Sequence, residues 1–202
     1  LVANNTAVIT CNETHHPSGM LLPLESHTIQ SERFRAQIEA SEPLKKQLWQ
    51  QTVKAKINNQ AAVFKKWGLG NRLLTNLAAD VKSGDAGNHE AIAAAHYWQN
   101  LLPSAWQFFR KRDGPPPNNL LNYGYAILRA TMARAIAGAG LLPTLGIFHR
   151  NRYNAYCLAD DIMEPYRPFV DVIVRSIIDQ TSVVDVLTQE LKVQLLKLPT
   201  VD

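Results

Sequence analysis

The chain has 202 residues and a mass of 22.6 kDa, which is one domain or one domain with a fragment of another and excludes a large multidomain machine. With 46% hydrophobic and 19% charged residues it is neither fibrous nor wholly disordered. Lys and Arg exceed Asp and Glu by 21 to 17, a formal charge of +4 that suits an acidic partner such as nucleic acid without requiring one.

The β-branched run Thr6 to Cys11, the turn-rich Asn12 to Gly19 and the apolar Met20 to Leu24 read as the end of a small β element. From Glu32 the spacing becomes helical. After the start signal Ser41-Glu42-Pro43, the residues Leu44, Leu48, Val53, Ile57 and Phe64 recur at intervals near three and four. Lys45, Lys46, Lys54, Lys56, Lys65 and Lys66 lie between them, which predicts an amphipathic helix with a basic face. Ser83 to Asn88 is a predicted loop, with Asn88 placed to cap a helix through His89, Glu90 and Tyr97. The charged, proline-rich Arg110 to Asn119 reads as a flexible linker, followed by a helix through Asn122 to Ala139 that Gly140 ends. Two further helical segments are predicted around Phe169 to Asp179 and Val183 to Lys197. The fold class expected is therefore mainly α: residues 1–24 as the end of an N-terminal β domain, and 25–202 as one α-helical domain with 110–119 as a linker inside it.

Two cysteines, Cys11 and Cys157, make no disulfide framework and no C-x-x-C zinc site, which fits a reducing cytoplasm. No apolar run nears the roughly 20 residues that span a bilayer, and no export signal is read, so no membrane partner is expected. The chain opens at Leu1 and stops at Thr200, Val201 and Asp202 in a way that reads as an excerpt of a longer protein.

Asp161 and Glu164 are three apart, so one helical turn would carry both carboxylates on the same side, where they could share a cation or a proton. His149 precedes them by far enough for the chain to return and bring its imidazole beside them, and Glu90 is a third acid. A Glu/His/Glu set suits Mg²⁺ or Mn²⁺ and leaves positions for water and a phosphate oxygen. Each residue also has an ordinary reading. Glu90 in a first helical turn favours the helix dipole, His149 between Phe148 and Arg150 suits a core or surface histidine, and Asp161 or Asp160 suits a helix cap. The basic face near Lys54 suits plain solvation, and His15 and His16 beside Pro17 read as loop residues.

The phrases GDAGNHEAIAAAHYW (84–98), NYGY (122–125), AGLLPTLGIFH (139–149) and LADDIMEPYRPFV (158–170) stand in an order and spacing that resembles the CRISPR adaptation integrase family, the first CRISPR-associated protein. LWQQTVKAKINNQ (48–60) and PSGMLLPL (17–24) look like the compact form that accompanies type II systems. The resemblance implies an N-terminal β domain, here cut short, before a helical catalytic domain. It implies Glu90, His149 and Glu164 as metal ligands and catalytic residues for Mg²⁺ or Mn²⁺, Asp161 as a supporting acid, and DNA contacts at Tyr123, Arg150, Arg152 and Lys54. It also implies a prokaryotic, cytoplasmic enzyme that inserts protospacer DNA into a repeat array by attack of a 3′-hydroxyl on a phosphodiester, with nuclease activity from the same site. Double-stranded and branched DNA, a second copy in a homodimer, a small second CRISPR-associated protein bridging two dimers, and other type II adaptation proteins are the implied partners. A catalytically silent DNA-binding scaffold and a hydrolase of small phosphate esters are the competing readings.

Overall fold

The computed structural model describes residues 8–13, 17–21, 27–181 and 184–197. The expectations for Leu1, for His15 and His16, for Leu22 to Leu24, for Val183 and for Thr200 to Asp202 lie outside them. Among the described residues the chain forms two strands followed by eight α-helices, so the mainly α expectation holds.

Strands β1 (Val8–Cys11) and β2 (Pro17–Leu21) pair antiparallel, with Val8 opposite Leu21 and an irregularity between Thr10 and Cys11. Helix α1 (Gln30–Ile38) buries no residue of its own and is tied to the rest by polar bonds. The Gln37 side chain donates to the Leu142 carbonyl at 2.9 Å and accepts from the Leu142 N–H at 2.8 Å, which is the pairing an extended backbone would offer.

Helix α2 (Glu42–Lys66) begins where the sequence signals it, with the Ser41 hydroxyl accepting from Leu44 N and Pro43 in the first turn. Its buried stripe is Trp49, Val53, Ile57, Ala61 and Phe64. Leu44 and Leu48, expected in that stripe, are largely exposed and line an apolar groove of about 640 Å³ together with Met132 and Ile136. The stripe turns from groove to core between Leu48 and Trp49, because the 147–149 turn packs on this end of the helix and Phe148 stacks on Trp49 at 4.3 Å, nearly parallel.

Helices α3 (Arg72–Asp80) and α4 (His89–Leu101) flank α2, and Tyr97 of α4 stacks on Phe64 at 5.4 Å. Helix α5 (Asn118–Gly138) crosses helix α7 (Arg167–Gln180) so closely that a Cβ on Gly124 would stand 2.4 Å from Val170 Cγ1. The NYGY phrase is therefore a packing motif at this crossing. Short helices α6 (Cys157–Met163) and α8 (Gln189–Leu196) complete the body, α8 capped by Thr188 and anchored by buried Leu191 and Leu195. Complete burial of side chains such as Trp49, Ile57, Leu120 and Leu195 contributes roughly 1.5–3 kcal/mol each. No described helix is long and apolar enough to cross a membrane.

The segment 110–119, expected as a flexible linker, is instead pinned. Asn118 is fully buried, donates to the carbonyls of Phe109 and Pro115, and accepts from Arg110 at 2.8 Å and from Lys111 N at 3.0 Å. One buried amide thus satisfies a proline-rich turn that composition alone marks as loose.

Asp171 of α7 is buried and accepts from the Tyr125 hydroxyl at 2.5 Å. Burial pushes its carboxyl up to about 7, against the hydrogen bond of Tyr125, which lowers it. Because the folded value is raised, Asp171 contributes stability that is fully present below its unfolded value of 3.8 and is lost as pH rises to about 7. We therefore expect Asp171→Asn to gain thermal stability relative to the unmodified chain by several degrees between about pH 5 and about pH 8, measured by paired melting curves. A difference that does not change with pH would contradict it.

Candidate active site

Glu90, Glu164 and Lys56 meet across three elements. The turn before α4 has three left-handed positions, at Gly84, Asp85 and Asn88. It is the buried Asp85 carboxylate, accepting from His89 N at 2.9 Å and Glu90 N at 3.0 Å, that caps α4. Asn88, expected as the cap, makes no side-chain bond there, since its left-handed backbone departs from the extended geometry of a capping residue. With its first turn held this way, α4 presents Glu90 to α2, where Lys56 Nζ donates to Glu90 Oε1 at 2.7 Å.

Glu164 opens the 3₁₀ turn Glu164–Tyr166 that links α6 to α7. The Asn59 side chain pins this turn to α2 by donating to the Pro165 carbonyl at 2.7 Å. Glu164 is buried, accepts from Arg167 Nε at 2.8 Å through Oε1, and has Oε2 at 2.6 Å from Lys56 Nζ without an aligned hydrogen bond. Lys56, read from sequence as part of a solvated basic face, is thus turned inward between two carboxylates. Burial alone would lower its pKa, but the charges of Glu164 and Glu90 hold it above the usual lysine value. Burial would likewise raise the Glu164 pKa, yet Arg167 and Lys56 outweigh that and keep the carboxyl below its ordinary value.

His149 ends the turn that follows α5. Gly140, with φ of 69°, closes the helix as expected. Gly146 lets the chain fold onto Asp161: a Cβ there would lie 2.4 Å from the His149 carbonyl oxygen and 2.9 Å from Asp161 Oδ2. Fully buried Asp161 accepts from Ile147 N at 2.6 Å, Phe148 N at 2.9 Å and His149 N at 3.3 Å, and its Oδ1 lies 2.5 Å from His149 Nδ1. That hydrogen bond is the main reason the His149 pKa is raised, against partial burial that lowers it. With Nδ1 engaged, Nε2 is the ring nitrogen left for a ligand.

Asp161 and Glu164 do not share a cation. Different elements take the two carboxylates: Asp161 accepts from the 147–149 turn, while Glu164 meets Lys56 of α2 and Arg167 of α7. Neither Asp160 nor Asp161 caps α6; Asp160 takes both Arg129 bonds, at 2.6 and 2.8 Å, and one from Asn154. As folded, no three His, Cys, Asp or Glu side chains among the described residues form a metal-ligand group. Two of the three candidates converge on one cation position, occupied by the Lys56 ammonium.

Arg150 and Arg152 extend from the His149 turn, Arg150 bonded to Glu42 at 2.5 Å and Arg152 stacked over Tyr153. Lys54 is partly exposed on α2, and Tyr123 is half-buried beside Cys11. The residues that sequence reading missed are Lys56, Asn59 and Asp85 in these roles. A signal was present: Lys56, Asn59 and Gln60 are polar at helical spacing on the inward side of α2, beside Ile57 and Phe64, where a core helix would otherwise be apolar.

The family model for CRISPR associated protein Cas1 matches residues 1–196. The chain belongs to the Cas1 family. It is 42% identical over 199 residues to the CRISPR-associated endonuclease Cas1 of Neisseria meningitidis serogroup C (strain 8013), a match covering 98% of this chain and 64% of that relative. The chain therefore spans less than two thirds of that Cas1 protein. Among solved structures, it resembles in fold a casposase bound to integration product, with a TM-score of 0.77 and 23% identity over 99% of this chain and 64% of the casposase. A Cas6-RT-Cas1–Cas2 complex matches with a TM-score of 0.66 and 27% identity, covering 91% of this chain and 22% of that one. The expected helical Cas1 fold thus stands, and the paired carboxylates lie in the phrases on which the resemblance rested.

Proposed function

We propose that this chain carries the metal-dependent integrase and endonuclease centre of CRISPR adaptation, with Glu90, His149 and Glu164 holding Mg²⁺ or Mn²⁺. The observation that carries this reading is the convergence of Glu90 Oε1 and Glu164 Oε2 on one cation position, at 2.7 and 2.6 Å from Lys56 Nζ. The buried Glu164 Oε2, which lacks an aligned donor, is an oxygen suited to a metal, and the oxygen-rich donor set with one imidazole suits these ions. Occupancy requires Lys56 to leave the position and His149 to approach it.

The chain's own groups prepare this. Arg167 and Lys56 keep Glu164 ionised, Lys56 holds two like-charged carboxylates side by side, and Asp161 fixes the His149 ring. A bound divalent ion would polarise the scissile phosphate and stabilise charge that develops in the transition state. The nucleophile is a DNA 3′-hydroxyl, so no protein Ser or Cys is needed. DNA, a second copy and a Cas2 protein are the proposed partners in the cytoplasm. The Cas2 assignment is supported by the similarity to the Cas6-RT-Cas1–Cas2 complex.

The test is strand transfer on branched DNA with Mn²⁺. Activity lost on EDTA addition, and lost in Glu90→Ala, is the expected result; activity that survives both overturns the reading. Lys56→Met is expected to bind Mn²⁺ on the order of tenfold more tightly than the unmodified chain, since the competing ammonium is gone and two carboxylates repel without a counter-ion. Titration with Mn²⁺ read by electron paramagnetic resonance checks this, and unchanged affinity would show that Lys56 and metal use different positions.

A DNA-binding scaffold without chemistry is the second reading. The Lys56 ion pairs favour it, because they already neutralise the carboxylates without any metal. Tight Mn²⁺ binding without turnover would select it.

A further inference from the structure

A second feature lies behind Glu164, on the side of Arg167. A cavity of about 200 Å³ opens there, lined by Arg110 and Arg112 of the 110–119 turn, Asn122, Tyr125 and Arg129 of α5, and Arg167 of α7. Arg110 and Arg167 both rest on the Tyr125 ring, at 5.4 and 4.6 Å from its centroid. The charge of Arg129 is answered by Asp160, and that of Arg167 by Glu164, which also serves Lys56.

Arg110 differs. Its guanidinium donates to Asn118 Oδ1 at 2.8 Å, Asn122 Oδ1 at 2.9 Å and the Lys111 carbonyl at 3.2 Å, all neutral acceptors. It is positioned but not neutralised by its bonds. Burial, and then the neighbouring Arg167 charge, lower its pKa, as expected where like charges are gathered away from water. Asp171 lies beyond the Tyr125 hydroxyl with its own carboxyl raised to about 7 and is a weak counter-charge. Four guanidiniums around so small a space are an anion cradle: their planar forks match phosphate oxygens, and the volume admits a phosphate group but not a base pair.

We infer that this arginine cavity binds one non-reacting phosphate of the DNA strand that enters the Glu164 site, so that the strand is held by a backbone contact beside the chemistry. The inference rests on the integrase reading and adds to it a positioning subsite. The contact carries no base information, because phosphate oxygens are the same at every nucleotide. The DNA contacts expected by resemblance are Tyr123, Arg150, Arg152 and Lys54, with 110–119 expected as a linker. Only the fold brings Arg110 and Arg112 against Arg129 and Arg167.

The experiment measures binding of branched DNA in EDTA, so that it is independent of catalysis. Each backbone linkage is replaced in turn by a neutral methylphosphonate, with the unmodified chain, Arg110→Gln and Arg112→Gln. One linkage is expected at which neutralisation weakens binding to the unmodified chain on the order of tenfold but leaves the variants unaffected. Each variant should also lower the slope of log affinity against log salt by about 0.7 to 0.9, the value of one lost phosphate contact. Arg110→Gln removes bonds to Asn118 and Asn122 that hold the 110–119 turn, so the exposed Arg112→Gln, with matching circular dichroism, decides if Arg110→Gln melts early. DNA binding with no such linkage overturns the inference and leaves the integrase reading standing; absence of DNA binding overturns both. A parallel arm titrates inorganic phosphate against thermal stability. Stabilisation by phosphate that the variants abolish, without a coupled linkage, assigns the cavity to a free phosphate and overturns the DNA assignment.

Discussion

Glu164→Gln is expected to lower Mn²⁺-dependent strand transfer on the order of 10³-fold while leaving DNA binding in EDTA within about threefold of the unmodified chain. The substitution keeps the volume of a buried side chain and removes only its charge. Glu164 is the shared anion of the region, meeting Lys56 at 2.6 Å and Arg167 at 2.8 Å. A neutral amide cannot serve as an anionic metal ligand, and its NH₂ would point a donor at either Lys56 or Arg167. Mn²⁺ affinity should therefore fall at least about tenfold along with the activity. Transfer retained within tenfold would remove Glu164 from the ligand set. Equal loss of binding and chemistry would make it a structural ion pair.

Asp161→Ala is expected to cost about 3–5 kcal/mol of stability, a fall in melting temperature on the order of 10 °C for a chain of this size. Asp161 is fully buried and receives three backbone N–H groups and the His149 ring. Alanine leaves those donors without an acceptor in a place that water does not freely reach. Gly146 admits no compensating side chain, because a Cβ there would already meet the His149 carbonyl oxygen. Asp161→Asn should fall between the two, since its amide retains one acceptor oxygen and sets an N–H group against backbone donors. Differential scanning calorimetry of the three proteins reads this directly. A melting temperature for Asp161→Ala within about 2 °C of the unmodified chain would mean that the 147–149 turn is held elsewhere.

Much of the helical body was legible from local pattern. Ser41-Glu42-Pro43 starts α2 because a hydroxyl cap and a proline suit the donors a helix leaves unbonded at that end. Gly140 ends α5 because a left-handed residue closes that terminus with least strain without a Cβ. These interactions lie within one helical turn, so residue type and spacing carry them. The Glu90, His149 and Glu164 phrases are legible by resemblance, since residue types and their order along the chain carry it.

The roles of the charged residues were a different matter. In sequence Lys56 is one of several lysines on a helix; only the approach of α4 and of the Glu164 turn converts it into the buried partner of two acids, the nearer of them 34 residues away. Asp161 and Glu164, three residues apart, look like partners and become separate because different elements face each, the 147–149 turn at Asp161 and Lys56 with Arg167 at Glu164. The prolines of 115–117 look loose until Asn118 is buried beneath them. Composition, capping and periodicity by themselves determined a helical chain, and the resemblance of its phrases to a family singled out the candidate acids and histidine. Which charge faces which was decided by the tertiary structure, since a buried charge is tolerated only where the fold supplies its partner, and that partner comes from parts of the chain with no local relation to it.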